Sequence, residues 1–171
     1  MHVLIGDIGN TLTKICLVDI KYFNVKKLIY IDSKVILNNK NLRLKIKKII
    51  KKKSNIKHAL FSSVVPKYYI TLRKFLKKEY KINLREIKDK QIRKLIKINI
   101  KKKKQVGSDR IANAVGAFKK YKKNCIILDF GTATTFDVVT KKGIYNGGII
   151  APGVSLSIKS LTNSADQIPL F

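Results

Sequence analysis

The sequence has little cysteine and no long apolar run. Cys16 and Cys125 are the two cysteines among 171 residues, too few for the disulfide framework of a small secreted domain. Each lies within an apolar strand pattern, so we predict reduced core residues rather than a disulfide or a metal site. No run approaches the ~18 apolar residues of a membrane span, so no membrane partner is expected. Asp7 and Asn10 interrupt the apolar N-terminus where a signal peptide would have its core, which favours a cytoplasmic protein.

Arginine is also scarce, although the chain is strongly basic. The formal net charge is +28, and five of the 38 basic residues are Arg. Proteins that read base edges favour Arg, because its planar fork makes bidentate contacts. The lysines are spread along the chain among many Ile and Asn residues, a mixture that a genome of skewed base composition would produce. We therefore expect weak attraction to polyanions and no specific nucleic-acid partner.

What the chain does contain is an internal repeat of an apolar strand, a tight turn and a second strand. The copies lie at residues 3–18 and 125–139. A common offset pairs Asp7 with Asp129, Gly9 with Gly131, and Thr13 with Thr135. Such a repeat predicts two domains built alike, which we place at residues 1–120 and 121–171.

The residue types in these turns suit a nucleotide. Glycine lets the backbone turn tightly and approach a ligand closely. Asn and Thr side chains and backbone N–H groups can donate to phosphate oxygens. The carboxylates would repel phosphate, so they are expected to act through a cation or its water shell. Two facing turns could clamp a nucleoside triphosphate. The alternative is that each Asp-x-Gly segment is an ordinary hairpin turn.

A further candidate site begins at Gly107. Ser108 can cap a helix that carries Asp109 and Arg110 in its first turn. Helix N-termini bind anions, Arg110 could hold a carboxylate or phosphate, and Asp109 could accept a proton from a hydroxyl. Alternatively, Asp109 only satisfies the helix dipole, with Arg110 as its partner. Serines at residues 62–63 end another apolar strand, either lining a site or capping the helix that Pro66 starts.

Five ordered motifs resemble those of the type III pantothenate kinases, a family also described through the Bvg accessory factor. The motifs are Asp7-Ile8-Gly9-Asn10-Thr11-Leu12-Thr13-Lys14, 62–66 (SSVVP), 107–110 (GSDR), 129–134 (DFGTAT) and 147–153 (GGIIAPG). The family belongs to the superfamily of acetate and sugar kinases, heat-shock chaperones and actin. The resemblance implies an α/β fold of two actin-like (ribonuclease H-like) domains with mixed sheets flanked by helices, the second domain being incomplete.

The resemblance also implies a reaction and a role for each motif. The reaction would be ATP-dependent phosphorylation of pantothenate to 4'-phosphopantothenate, the first step of coenzyme A biosynthesis. Residues 7–14 would hold the ATP phosphates together with Thr132. Gly107, Ser108, Asp109 and Arg110 would bind pantothenate, with Asp109 as the catalytic base. Asp129 would ligate a monovalent cation, potassium or ammonium, and Mg²⁺ would accompany ATP. The protein would act as a homodimer.

Two departures from the family pattern bear on activity. Where many relatives carry a substrate-contacting tyrosine before the 107–110 motif, this chain has lysines at residues 101–104, which are expected either to hold the pantothenate carboxylate or to form a solvated loop. The sequence also stops at Phe171, partway through the family's second domain. The alternative to an active kinase is therefore a catalytically weak or inactive fragment that acts as a binding or regulatory protein.

Overall fold

The computed structural model describes residues 1–51, 55–89 and 94–164. The strands are β1 (His2–Ile8), β2 (Leu12–Asp19), β3 (Asn24–Asp32), β4 (His58–Ser63), β5 (Asn83–Glu86), β6 (Lys97–Ile98), β7 (Cys125–Phe130), β8 (Ala133–Val139) and β9 (Ile144–Pro152). The α-helices are α1 (Asn39–Lys47), α2 (Pro66–Tyr80), α3 (Ser108–Tyr121) and α4 (Val154–Ser164). Short 3-10 helices span Ser33–Leu37 and Lys103–Gln105.

The chain divides into two compact units. Unit 1 comprises Met1–Arg93 and Gly107–Ile111, and unit 2 comprises Lys94–Val106 and Ala112–Phe171. The predicted domain boundary at residue 120 falls inside unit 2 and stays a prediction. Within the described residues, no helix is long and apolar enough to cross a membrane.

Unit 1 is built on a mixed sheet with strand order β3-β2-β1-β4-β5. The central strand β1 is antiparallel to β2 and parallel to β4, and this register places Asp7 opposite Ser62. One face of β1 carries Leu4 and Ile8, both fully buried. Helices α1 and α2 contribute Leu42, Ile46, Leu72 and Leu76 to the same core cluster. Each such side chain adds about 1.5–3 kcal/mol of hydrophobic stabilisation.

Helix α2 forms where the sequence predicts it. Pro66 occupies the first turn, where its missing N–H costs no helical hydrogen bond. Leu72 and Leu76 lie one turn apart on the buried face, as their spacing indicates. The helix ends at Tyr80, and the left-handed backbone of the C-cap residue Lys81 (φ 59°) turns the chain toward β5.

Two details differ from the sequence-based expectations. The helical spacing of Leu42, Ile46, Ile49 and Ile50 predicts a helix over residues 41–53. In the structure that helix is α1, which ends at Lys47, and residues 52–53 lie outside the described residues. The N–H groups of Ile49 and Ile50 both donate to the Ile46 carbonyl, so the apolar pattern continues into the core in a turn instead of a helix. The Lys- and Ile-rich sequence of residues 81–105 shows little periodicity, so it predicts no strand there. The segment nevertheless contributes β5 and β6, which at four and two residues are too short to show periodicity.

Unit 2 contains a four-stranded sheet in the order β6-β9-β8-β7. The strands from β7 to β9 form an antiparallel meander, and β6 is parallel to β9. The sequence predicts strands at residues 136–140 and 144–150. They correspond to β8, which begins earlier, at Ala133, and β9, which ends later, at Pro152. Inside this sheet, the phenol of Tyr145 donates a 2.5 Å hydrogen bond to the buried Asp137 carboxylate.

Candidate functional site

The turn between β1 and β2 is stabilised by hydrogen bonds within the turn and from Ser33. The Gly9 N–H donates to the Leu12 carbonyl oxygen at 3.1 Å. A Cβ at Gly9 would lie 2.9 Å from that same backbone oxygen, so the turn requires glycine. The Ser33 hydroxyl donates to the Gly9 carbonyl oxygen at 2.8 Å, and the Ser33 N–H donates to the carbonyl oxygen of Thr11 at 2.8 Å. A serine distant in sequence therefore fixes the loop's shape.

Residues of the predicted ATP loop fall into two groups. Ile8 and Thr13 are fully buried. Because Ser33 uses its own proton on Gly9, the Thr13 hydroxyl donates to the Ser33 oxygen, at 2.8 Å. The side chains of Asn10, Thr11, Leu12 and Lys14 are exposed, and Asp7 is half-buried. The buried pair sets the loop conformation, and the exposed group is accessible to a ligand.

Asp7 stands at the end of β1 beside a serine of β4. The Ser62 hydroxyl donates to Oδ1 of Asp7 at 2.5 Å, and Ser62 is almost wholly buried. The bond engages one carboxylate oxygen of Asp7, at the sheet end where α/β proteins place their ligands. Ser62 thus lines the candidate site, one of the two roles considered from the sequence.

The start of α3 is anchored to the end of β4. The Ser63 N–H donates to the Ser108 hydroxyl oxygen at 2.7 Å, and that hydroxyl donates to the Ser63 carbonyl oxygen at 2.7 Å. Ser108 is itself the first residue of α3 and is fully buried. These two hydrogen bonds hold Gly107–Ile111 against the end of β4. Ser62, the residue before Ser63 on that strand, contacts Asp7.

Asp109 and Arg110 follow that anchor in the first turn of α3. Both residues are half-buried, and the Arg110 N–H donates to Oδ1 of Asp109 at 2.8 Å. The Asp109 carboxylate therefore turns back toward the N-terminus of the helix. An ionised carboxylate at this position can accept a proton, and the adjacent guanidinium can hold an anionic group. Unit 1 thus brings together Asp7, the loop and the Gly107–Arg110 motif.

In unit 2, Asp129 lies at the end of β7 and is exposed. The side-chain amide of Asn113, on α3, donates to its Oδ2 at 2.8 Å. The following turn is closed by the Gly131 N–H, which donates to the Ala133 carbonyl oxygen at 3.0 Å. A Cβ at Gly153 would lie 2.4 Å from the Thr132 carbonyl oxygen, so only glycine allows the end of β9 to approach this turn.

The side chains around Asp129 offer oxygen ligands of the kind that hard cations bind. Thr135 stands opposite Asp129 in the β7–β8 register, and its buried hydroxyl oxygen has no hydrogen-bond partner in the described structure. Carboxylate, amide and hydroxyl oxygens are the ligands that such cations prefer. Among the described residues, no cluster of three or more His, Cys, Asp or Glu side chains forms a transition-metal site. Thr132, predicted to contact ATP, is exposed in the same turn.

Reasoning from the sequence missed Ser33 and Asn113. Ser33 acts on a loop 24 residues away, and no local pattern indicates that contact. Asn113 lies four residues after Asp109 on the same helix, and this spacing indicates that the two side chains share one face of it. The lysines at residues 101–104 form an exposed turn and the start of a 3-10 helix in unit 2.

The sequence matches the model of one protein family over nearly its whole length. The match covers residues 3–171, and the family is described as type III pantothenate kinase. The chain belongs to the type III pantothenate kinase family. A type III pantothenate kinase of Pelagibacter ubique (strain HTCC1062) is 48% identical over 167 residues, which cover 98% of this chain and 65% of that protein. A type III pantothenate kinase of Geobacter sp. (strain M21) is 42% identical over 116 residues, which cover 68% of this chain and 45% of that protein. The chain thus spans less than two thirds of the length of these relatives.

Solved structures support the fold. The ethanolamine utilization protein EutJ from Carboxydothermus hydrogenoformans superimposes with a TM-score of 0.55 at 13% identity, covering 99% of this chain and 58% of that one. An exopolyphosphatase from Cytophaga hutchinsonii gives 0.50 at 12% identity, covering 98% and 60%. At such identities the likeness concerns the fold alone. The predicted α/β, actin-like fold with mixed sheets flanked by helices is confirmed.

Proposed function

We propose that this chain carries the catalytic residues for ATP-dependent phosphorylation of pantothenate to 4'-phosphopantothenate. The observation that supports this most is the pair of hydrogen bonds between Ser108 and the Ser63 backbone. It fixes the proposed substrate motif beside the strand that contacts Asp7 at the phosphate loop. Family membership and the relatives' name supply the reaction.

In the proposed reaction, Asp109 accepts the proton of the primary hydroxyl of pantothenate. The freed oxygen then forms a bond to the γ-phosphorus of ATP, and the bond from that phosphorus to the bridging oxygen breaks to release ADP. Arg110 and the N–H groups at the start of α3 orient the pantothenate anion. Positioning of this kind accounts for most of the catalysis in phosphoryl transfer.

The loop at residues 7–14 is proposed to hold the ATP phosphates. Its exposed Asn10, Thr11 and Lys14 side chains are donors, and Asp7 lies where it would hold the water shell of Mg²⁺. Bound Mg²⁺ would neutralise charge on the transferred phosphoryl group. In unit 2, Thr132 is proposed to contact ATP, and Asp129 to hold potassium or ammonium with Asn113 beside it. A homodimer in the cytoplasm completes the proposal.

A coupled assay with ATP, Mg²⁺, potassium and pantothenate tests the assignment. We expect Asp109→Asn to lower kcat by about 10²–10⁴-fold, because it removes the proton acceptor without changing the side-chain shape. Asp89→Asn changes a second carboxylate of unit 1, one that is exposed and outside the proposed site, and it should leave kcat within about twofold. Full turnover in Asp109→Asn, or none in folded wild-type protein, would contradict the proposal.

The lysines at residues 101–104 are proposed to hold the pantothenate carboxylate in place of the tyrosine found in many relatives. Replacing all four by Ser should raise the KM for pantothenate by about tenfold and leave the KM for ATP unchanged, since one charged hydrogen bond contributes about 1.5–3 kcal/mol. Replacing Lys119, Lys120, Lys122 and Lys123 by Ser removes the same charge elsewhere in unit 2. An equal rise in KM from both variants would show that only net charge matters.

A further inference from the structure

A cavity of unit 1 lies between helix α2 and β5, the last strand of its sheet. Its volume is about 690 Å³, within the range of small-molecule sites. Tyr69, Arg73 and Lys77 line it from α2, and their spacing of four residues places them on one face of the helix. The phenol of Tyr69 donates to the Leu84 carbonyl oxygen at 3.3 Å, which joins the helix to the strand.

The cavity lies on the other face of the sheet from the side chains of the candidate site. The register places Gly6, Phe61 and Glu86 side by side on three neighbouring strands. Side chains alternate along a strand, so Glu86 shares the face of Phe61, where α2 packs. Asp7 and Ser62, each one residue later, point to the opposite face. A ligand of this cavity is therefore separated from Asp7 by the sheet.

Glu86 carries a carboxylate oxygen that the fold leaves unsatisfied. Its Oε2 accepts the Lys88 N–H at 3.0 Å, but within the described structure its buried Oε1 has no hydrogen-bond partner. An unsatisfied buried acceptor is costly, so such an atom indicates a site for a donor from outside the chain. The terminal torsion of a Glu side chain is soft, so a small rotation turns this oxygen toward a donor in the cavity.

The cavity is also rich in positive charge. It is lined by four basic and two acidic side chains, namely Arg73, Lys77, Arg85, Lys88, Glu86 and Asp89. Two of the five arginines of this lysine-rich chain are among them. Arginine is the residue whose planar fork binds a carboxylate through two parallel hydrogen bonds. The Lys77 ammonium donates to Oδ1 of Asn83 at 2.9 Å, which holds this positive charge beside β5.

Charges of both signs line this cavity without neutralising each other. In the part of the chain that the structure describes, neither a hydrogen bond nor an ion pair joins Glu86 to Arg73. Burial raises the pKa of Tyr69. The Arg73 guanidinium lowers this pKa and the Glu86 and Asp89 carboxylates raise it, so both signs of charge lie close to one phenol. A carboxylate and a guanidinium that share a cavity without pairing suit a ligand that carries the complementary charges.

We propose that this cavity binds a small zwitterion with a net negative charge, the chemistry of an acidic amino acid. The ligand's ammonium group donates to Glu86, and its carboxylates are held by Arg73 and Lys77. Basic side chains outnumber acidic ones around the cavity, which favours a ligand whose negative charges exceed its positive ones. The inference concerns binding and does not rest on the proposed reaction.

The test uses the 171-residue chain with L-glutamate as the probe, in the absence of ATP and pantothenate. Two further compounds each remove one half of the zwitterion, because N-acetyl-L-glutamate has no ammonium group and putrescine has no carboxylate. Calorimetry measures binding, and NMR locates it through the backbone amide shifts of Asn83–Glu86. We expect saturable binding of L-glutamate, at least about tenfold weaker binding of N-acetyl-L-glutamate, and no binding of putrescine.

Single substitutions test the two halves of the site. Glu86→Gln removes the charge and keeps the side-chain shape, and Arg73→Gln removes the guanidinium. Each should weaken L-glutamate binding at least about tenfold, as the loss of a charged hydrogen bond implies. Arg73 is exposed, so its variant keeps the test available if circular dichroism shows that Glu86→Gln does not fold. Lys74→Gln, the control, removes a positive charge from the next residue of α2, which is exposed and does not line the cavity, and should leave binding within about twofold.

Three results would overturn the proposal. One is the absence of saturable L-glutamate binding to the folded chain up to about 10 mM. Another is equal affinity for L-glutamate and N-acetyl-L-glutamate, which would make the cavity a simple anion site. The third is equal weakening by Arg73→Gln and Lys74→Gln, which would mean that only net charge matters. Kinase activity enters none of these readouts, so their failure is distinct from failure of the proposed reaction.

Discussion

The two repeat copies use one local sequence pattern in two different surroundings. The first strand of each copy ends in Asp-x-Gly, followed by a hairpin and a second strand. In unit 1 the strand is central in its sheet, and in the described part of unit 2 it is at the edge. Local pattern therefore determines the hairpin, while the elements that pack against the strand determine burial.

The Asp-x-Gly turns of the two copies also differ in the burial and hydrogen bonding of their side chains. Asp7 is half-buried and bonded by a buried serine, whereas Asp129 is exposed and bonded by the amide of Asn113. Thr13 donates to Ser33, but the hydroxyl of its equivalent, Thr135, has no partner in the described structure. The first turn is held as a rigid donor loop. The second keeps oxygen atoms uncommitted, which is what a cation site requires.

Matched core truncations give the largest contrast between the copies. Leu4→Ala should lower the free energy of unfolding by about 2–5 kcal/mol, because it leaves a cavity in a fully packed core. Ile126→Ala at the equivalent position should change it by less than about 0.5 kcal/mol, because that side chain is already exposed. Urea unfolding of both variants measures the difference. Equal losses would mean that the Ile126 side chain is covered in solution.

A second matched pair tests the two threonines. Thr13→Val removes the proton donor to Ser33 and should cost about 1–2 kcal/mol. Thr135→Val removes a buried hydroxyl that has no partner, so it should be neutral or slightly stabilising in sodium buffer. Thermal melts in sodium and potassium chloride provide the measurement. If Thr135 contributes to a cation site, potassium should raise the melting temperature of the wild type more than that of Thr135→Val.

A third contrast concerns the bonds that hold the two carboxylates. Ser62→Ala removes a bond from an almost wholly buried hydroxyl to the half-buried Asp7 carboxylate and should cost about 1 kcal/mol. Asn113→Ala removes a bond to an exposed carboxylate and should cost less than about 0.5 kcal/mol. Urea midpoints compare the two losses. A larger loss from Asn113→Ala would show that Asp129 is more strongly bound in solution than its exposure indicates.

Much of this molecule could be predicted from the sequence, and the failures have physical causes. Alternating apolar residues indicated β1, β2 and the β7–β9 meander, and Pro66 with its following leucines indicated α2. The short strands β5 and β6 were not predicted, because they form through pairing with β4 and β9 rather than through a pattern in their own residues. Ser33 escaped because its role depends on a contact between distant segments. The exposure of Ile126 could not be predicted, because its equivalent in the first copy, Leu4, is fully buried.

The smallest expected effect concerns pH and one further pair of equivalent positions, Asp19 and Lys141. The Lys21 N–H donates to Asp19, and this hydrogen bond, aided by the N-terminal ammonium, His2 and Lys26, lowers the pKa of the carboxyl despite the opposing effect of burial. A lowered pKa stabilises the folded state above the ordinary value of about 3.9, and that stability is lost as the pH falls through the folded value. The wild type should therefore lose stability between about pH 5 and pH 3 more steeply than Asp19→Asn.

Lys141 donates its N–H to the neutral Asn124 side chain, so Asn124→Ala should leave the acid slope unchanged. Parallel slopes for wild type and Asp19→Asn would place the acid sensitivity in other carboxylates.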